Sequence, residues 1–155
     1  LIDDESADSV VARHFIRMLG EHRQIDVRTK RVGSVLGYLG DMKKGREKDI
    51  ISRTAGSSFV VLPLDIDELA GVFITEMCGS RLSKPDNHIY MPLSCLSARE
   101  VGLYAGIKGL KYKAVKPNRS DVGEALKRLR VGSPDLSFAV LKSRAVIESA
   151  LRDRK

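Results

Sequence analysis

The 155 residues match the usual size of one domain, and 43% hydrophobic with 30% charged residues is ordinary for a globular chain with a core of its own. Two cysteines, Cys78 and Cys95, neither in a C-x-x-C, exclude a disulfide framework and a four-cysteine zinc site, and no apolar run reaches the ~18 residues of a membrane span. The net charge of +7 and pI near 9.6 favour polyanion partners through counterion release, although a solvated basic surface gives the same number.

Residues 6–20 (SADSVVARHFIRMLG) read as a helix. Val10, Val11, Phe15, Met18 and Leu19 fall on one side, Ser6 or Asp8 can cap the start, and Gly20 suits the end. Residues 24–29 (QIDVRT) alternate and predict a short strand. Residues 32–49 are rich in Gly and Lys and read as a mobile loop or a weak helix, followed by a helix over 47–55. The apolar run at 58–62 suits a buried strand, and Asp65-Ile66-Asp67-Glu68 has the form of a capping box opening a helix to Cys78, closed by Gly79. Residues 80–88 read as a loop. His88 to Met91 predict a strand, and Ser97-Ala98-Arg99-Glu100 a second capping box for a helix to Lys108, with Gly109 beyond. Residues 111–115 read as extended. Ser120 opens a helix to Arg130, and Pro134 is placed just inside the last helix.

Strand and helix in alternation argue for an α/β fold with a parallel sheet and helices on its faces. No internal repeat, low-complexity tract or interdomain linker interrupts the chain, so residues 1–155 read as a single domain. The start at Leu1 rather than Met leaves room for residues upstream. No signal peptide is visible, and reduced thiols in a cytoplasmic protein are the expectation. Both cysteines read as small core residues. His14, His22 and His88 form no ligand spacing.

Three segments carry a resemblance. Met91-Pro92-Leu93, Ser97 to Ala105 with Glu100 and Tyr104, Lys108-Gly109-Leu110 and the later Ser133-Pro134 and Ser137 to Ser143 look like the "R-P-L … E-K-E-V-x-x-Y-A … P … F-x-I-L-x-S" stretch of PP-loop tRNA 2-thiolation proteins. Pro63 to Ala70 resembles that family's "G-H-N-x-D-D-x-A", with Asp67 and Glu68 at the paired acids. Asp4-Glu5-Ser6-Ala7-Asp8-Ser9 stands where the phosphate loop "S-G-G-x-D-S" would stand, and Asp8 and Ser9 fit. The chain therefore resembles a degenerate member of the PP-loop (N-type ATP pyrophosphatase) superfamily. The resemblance implies a three-layer α/β domain of the adenine nucleotide alpha hydrolase kind, with a mostly parallel sheet and helices on both faces. It also implies ATP and Mg²⁺ near Ser6, Asp8, Ser9 and Asp67, with Asp8 and Asp67 facing one another across a common cleft.

The departures bear on chemistry. Glu5 and Ser6 replace loop glycines, and Asp4 with Glu5 would repel a polyphosphate unless Mg²⁺ intervened. The positions matching the family's cysteines hold Val32, Val35 or Gly37, and Lys116, so no zinc, persulfide or iron–sulfur chemistry is expected and no catalytic or metal-ligating residue is assigned. Asp65, Asp67 and Glu68 suit Mg²⁺, and helix capping explains them equally. The best RNA-contact candidates are Lys43, Lys44, Arg46 and Lys48, and a second stretch of Lys108, Lys111, Lys113, Lys116 and Arg119, where Tyr112 can stack on a base. The expectation is a non-catalytic tRNA- or partner-binding subunit in tRNA 2-thiolation. The alternatives are an ATP-dependent enzyme adenylating tRNA with sulfur from a partner, and a protein-interaction module without nucleotide.

Overall fold

The computed structural model describes residues 1–23, 26–43, 59–79, 89–113 and 121–152. In chain order the elements are β1 (Ile2–Asp3), α1 (Ala7–His22), β2 (Lys30–Arg31), α2 (Val35–Lys43), β3 (Val60–Val61), α3 (Ile66–Cys78), β4 (Ile89–Tyr90), α4 (Ala98–Ile107), α5 (Asp121–Arg130) and α6 (Leu136–Arg152). The fold is mixed α/β, with two small parallel sheets. β1 pairs with β2, Ile2 opposite Lys30, and β3 pairs with β4, Val60 opposite Ile89. The predicted helix at 47–55, the loop at 80–88 with His88, and Ser120 lie outside the described residues.

The chain forms two compact units, Leu1–Asp65 with Lys84–Lys116, and Ile66–Ser83 with Pro117–Lys155. In the first, α1 and α4 pack on a core of Val11, Ala12, Leu93, Val101 and Ala105, all almost wholly buried. Phe15 meets Tyr104 edge-on with ring centroids 5.0 Å apart, an arrangement that suits the aromatic quadrupoles. The second unit is helical. Its α3 buries Ile66, Leu69, Ala70 and Phe73, and α5 contributes Leu126.

Local sequence explains the ends of α4. Ser97 accepts the Glu100 N–H, and Glu100 accepts the Ser97 N–H at 2.7 Å, which completes the predicted capping box. The Ser97 N–H, together with its hydroxyl, holds the Glu100 carboxyl below its ordinary pKa. Beyond the helix, Gly109 takes φ +62, the left-handed conformation that closes many helices.

Several expectations are corrected. Of the strand placed at 24–29, residues 24–25 lie outside the described residues and residues 26–29 are not in a strand, which forms instead at Lys30–Arg31. There the Lys30 N–H donates to the Leu1 carbonyl and the Val32 N–H to the Asp3 carbonyl. Both strand residues are exposed, so backbone pairing rather than apolar alternation sets this register. α1 runs past Gly20 to His22. Of the two alternatives for 32–49, the helix is the one found over 35–43, where Val35, Tyr38 and Leu39 fall at helical spacing and are buried. Pro134 lies in a turn ahead of α6 rather than inside it, and the Leu136 N–H closes that turn on the Ser133 carbonyl. Residues 111–113, read as extended, pair into no sheet, and 114–115 lie outside the described residues. Cys78 and Cys95 are both exposed, one ending α3 and the other in the turn between Leu93 and Ser97.

Removing the Leu93 side chain, which has no exposed surface, opens a cavity in the first unit. Leu93→Ala is expected to lower the unfolding free energy by about 2–5 kcal/mol. Leu103→Ala, at a side chain 57% exposed on the same helix pair, should change it by less than about 0.5 kcal/mol in the same urea titration.

Candidate functional site

The turn from β1 into α1 is built around two adjacent carboxylates. Asp3, 1% exposed, accepts the Glu5 N–H at 2.8 Å through Oδ1 and the Arg13 guanidinium through Oδ2. Asp4 accepts the Ser6 N–H at 3.1 Å and the Ser9 hydroxyl at 2.8 Å through Oδ1, and the Val35 N–H at 3.2 Å through Oδ2. Burial raises the Asp4 pKa, but the hydrogen bonds from Ser6, Ser9 and Val35 outweigh it and hold the carboxyl below its ordinary value. Ser6 caps α1 by accepting the Ser9 N–H at 3.2 Å, and Ser9 is fully buried. Asp8 is half-buried in the first turn of α1.

Glu5 sits at the tip of this turn with φ +63, a conformation a residue with a Cβ rarely takes. Its side chain pairs with Lys113 through Oε2 and approaches Arg31 at 3.7 Å through Oε1. The Lys113 hydrogen bond and charge, helped by Arg31, hold the Glu5 carboxyl below its ordinary pKa against partial desolvation. The Lys113 N–H also donates to the Glu5 carbonyl at 2.9 Å. A cavity of about 270 Å³ opens here, lined by Glu5, Val10, Arg13, Lys111, Tyr112 and Lys113. Both carboxylates that were expected to repel a polyphosphate are engaged: Asp4 is held by donors on both oxygens and Glu5 is ion-paired.

Asp67 belongs to the second unit. In the first turn of α3 it accepts the Ser137 hydroxyl at 2.6 Å and pairs with Arg130 at 2.7 Å, so it ties α3 to α6 and α5. Of the RNA candidates, Lys111 and Tyr112 are exposed at the cavity, and Lys43 ends α2. Lys44, Arg46, Lys48, Lys116 and Arg119 lie outside the described residues.

No protein-family model matches the chain, and no curated protein matches it. A solved structure does: the U34-tRNA thiolase NcsA from Methanococcus maripaludis with its 4Fe-4S cluster, at a TM-score of 0.65 and 12% identity, over 94% of this chain and 70% of that one. The chain shares the fold of a tRNA thiolase. The cluster of the similar structure is a separate matter. Iron–sulfur clusters are held by cysteine thiolates, four in the common types, and this sequence has two, divided between the two units. Among the described residues no group of three or more His, Cys, Asp or Glu is placed to hold a metal ion. The residues present do not fit that cluster. Among the described residues, too, no helix is long and apolar enough to cross a membrane.

Sequence reading missed the partners rather than the turn. Arg13 follows Asp3 at a spacing no helix or strand rule predicts, and Arg31, Arg130 and Ser137 reach their acids from other elements. The left-handed backbone at Glu5 had one signal: Glu5 occupies a glycine position of the motif it resembles.

Asp4→Asn removes a charged acceptor from three donors and should lower stability at pH 7 by about 1–3 kcal/mol. Because the native carboxyl titrates below the unfolded value of about 3.9, this advantage is present above that pH and is lost as pH falls through the native pKa. Urea midpoints of the two proteins should therefore converge in acid, and a gap that stays constant from pH 7 to pH 3 would refute the charged role of Asp4.

Proposed function

We propose that the chain is a degenerate PP-loop-type domain, three-layered like its family, that serves tRNA thiolation in the cytoplasm as a non-catalytic tRNA-binding subunit working with a catalytic partner protein. The observation that carries this reading is the occupancy of the β1–α1 turn. A phosphate loop aims backbone N–H groups at anionic oxygens. Here the N–H groups of Glu5, Ser6 and Ser9 already donate to Asp3, Asp4 and Ser6. The internal acceptors stand in the place of a phosphate. The net charge of +7 and the likeness to a U34-tRNA thiolase support tRNA as the polyanion. RNA contact is assigned to Lys43, Lys44, Arg46 and Lys48, and to Lys111, Tyr112 and Lys116.

A second reading keeps an ATP- and Mg²⁺-dependent adenylating enzyme, with Ser6, Asp8, Ser9 and Asp67 at the nucleotide. The left-handed Glu5 favours it, since the turn follows a path suited to a loop glycine. Thermal melting separates the two. A ligand at 100 Kd adds about 2.7 kcal/mol, so millimolar Mg·ATP would raise the melting temperature clearly if the second reading held. No shift is expected. For tRNA, the logarithm of the binding constant should fall linearly with the logarithm of salt concentration. A response independent of salt would refute the phosphate contacts.

A further inference from the structure

Glu5 combines two features that local folding does not require. Its backbone adopts φ +63, where glycine would be relaxed, and its carboxylate is drawn between cations from two separate segments, Arg31 of β2 and Lys113 after α4. Its amide and carbonyl are engaged with Asp3 and Lys113, so the backbone is pinned independently of the side chain. The carboxylate lines the cavity together with Lys111, Tyr112 and Lys113. At about 270 Å³ this open depression lies below the roughly 300–1,000 Å³ usual for small-molecule sites, so it offers surface contact rather than enclosure. Tyr112, 48% exposed, offers a stacking face, and Lys111 a further cation.

We propose that Arg31 and Lys113 form a clasp for the phosphate of a nucleotide unit whose base lies against Tyr112, and that Glu5 fills this clasp as an internal anion until the ligand displaces it. A carboxylate and a phosphate oxygen make the same charge-assisted hydrogen bonds to guanidinium and ammonium groups, so the exchange retains the contacts of both cations. The clasp rests on the RNA-binding reading above and extends it to Arg31 and to Glu5 as the competing group. Surface ion pairs are individually weak, which is what a displaceable plug requires. The phosphate can belong to an RNA strand or to a free nucleotide.

The test measures binding of two probes at about 0.1 M salt, where the screening length is about 10 Å: a single-stranded oligouridylate of about ten nucleotides, and AMP. Glu5→Gln should tighten binding about three- to tenfold, as loss of a weakly held competitor implies. Glu5→Gly, which suits the left-handed backbone, should show the same gain. Glu21→Gln adds the same charge at the far end of α1, roughly 20 Å away, and should show none. Arg31→Glu and Lys113→Glu should weaken binding and abolish the gain from Glu5→Gln. Tighter binding of the RNA assigns the phosphate to a strand, and tighter binding of AMP alone assigns it to a free nucleotide. If the native chain binds the RNA and Glu5→Gln improves neither probe, or if Glu21→Gln gives an equal gain, the clasp falls while the RNA-binding reading stands. If neither the native chain nor any variant binds the RNA or AMP, both fall.

Discussion

All four oxygens of Asp3 and Asp4 accept hydrogen bonds, and the geometry of the first unit around the β1–α1 turn follows from that. Asp3 is almost without solvent contact, and a buried carboxylate keeps its charge only when paired and hydrogen-bonded. Arg13 supplies the pairing from the second turn of α1, which fixes the rotation of that helix relative to β1. Asp4 reaches further along the chain: by accepting the Val35 N–H it joins the start of α2 to the start of α1. The amides that receive these oxygens are those that local structure leaves without partners at a turn and a helix N-terminus. The same bonds thus neutralise the acids and satisfy the backbone.

This arrangement changes what the turn can do. The N–H groups of Glu5, Ser6 and Ser9 would have to give up Asp3, Asp4 and Ser6 before binding an external anion, and the freed carboxylates would then face it. Glu5 is different in kind. It contributes its amide to the interior, but among the described residues its side chain is held by the surface cations Arg31 and Lys113, and it can be exchanged without disturbing the buried pair. A polyanion meeting this face competes with the half-buried Glu5 carboxylate rather than with the buried network.

How much of this was legible depended on distance along the chain. The capping box at Ser97 and Glu100 was readable because both partners lie within one helical turn, and Gly109 because a left-handed closing residue favours glycine. β3, β4 and the start of α3 followed from short apolar runs and an acidic cap. Asp3 with Arg13, Glu5 with Lys113, and Asp67 with Arg130 and Ser137 were not readable, because each joins residues whose proximity is created by the fold. β2 was misplaced for a related reason. Its residues are exposed on both faces, so hydropathy carried no information about where the backbone pairs. The cysteines were misjudged because type frequencies favour burial, whereas a helix end and a turn put both in solvent.

Each unit holds one acid on an arginine. Asp67 of α3 is 14% exposed and is held by Arg130, 27% exposed, and by the buried Ser137, much as Asp3 is held by Arg13. A carboxylate in that state can serve a metal or a nucleotide only by abandoning an arginine that would itself be left partly buried, which is costly where solvent cannot take over. The nucleotide-dependent reading therefore asks the chain to dismantle pairs that join its helices. The RNA-binding reading asks nothing of them. It draws on cations that remain after the interior acids are neutralised, and a chain with a net charge of +7 keeps a surplus of those even with Arg13 and Arg130 committed inside. The surplus positive charge thus suits a surface that attracts a polyanion.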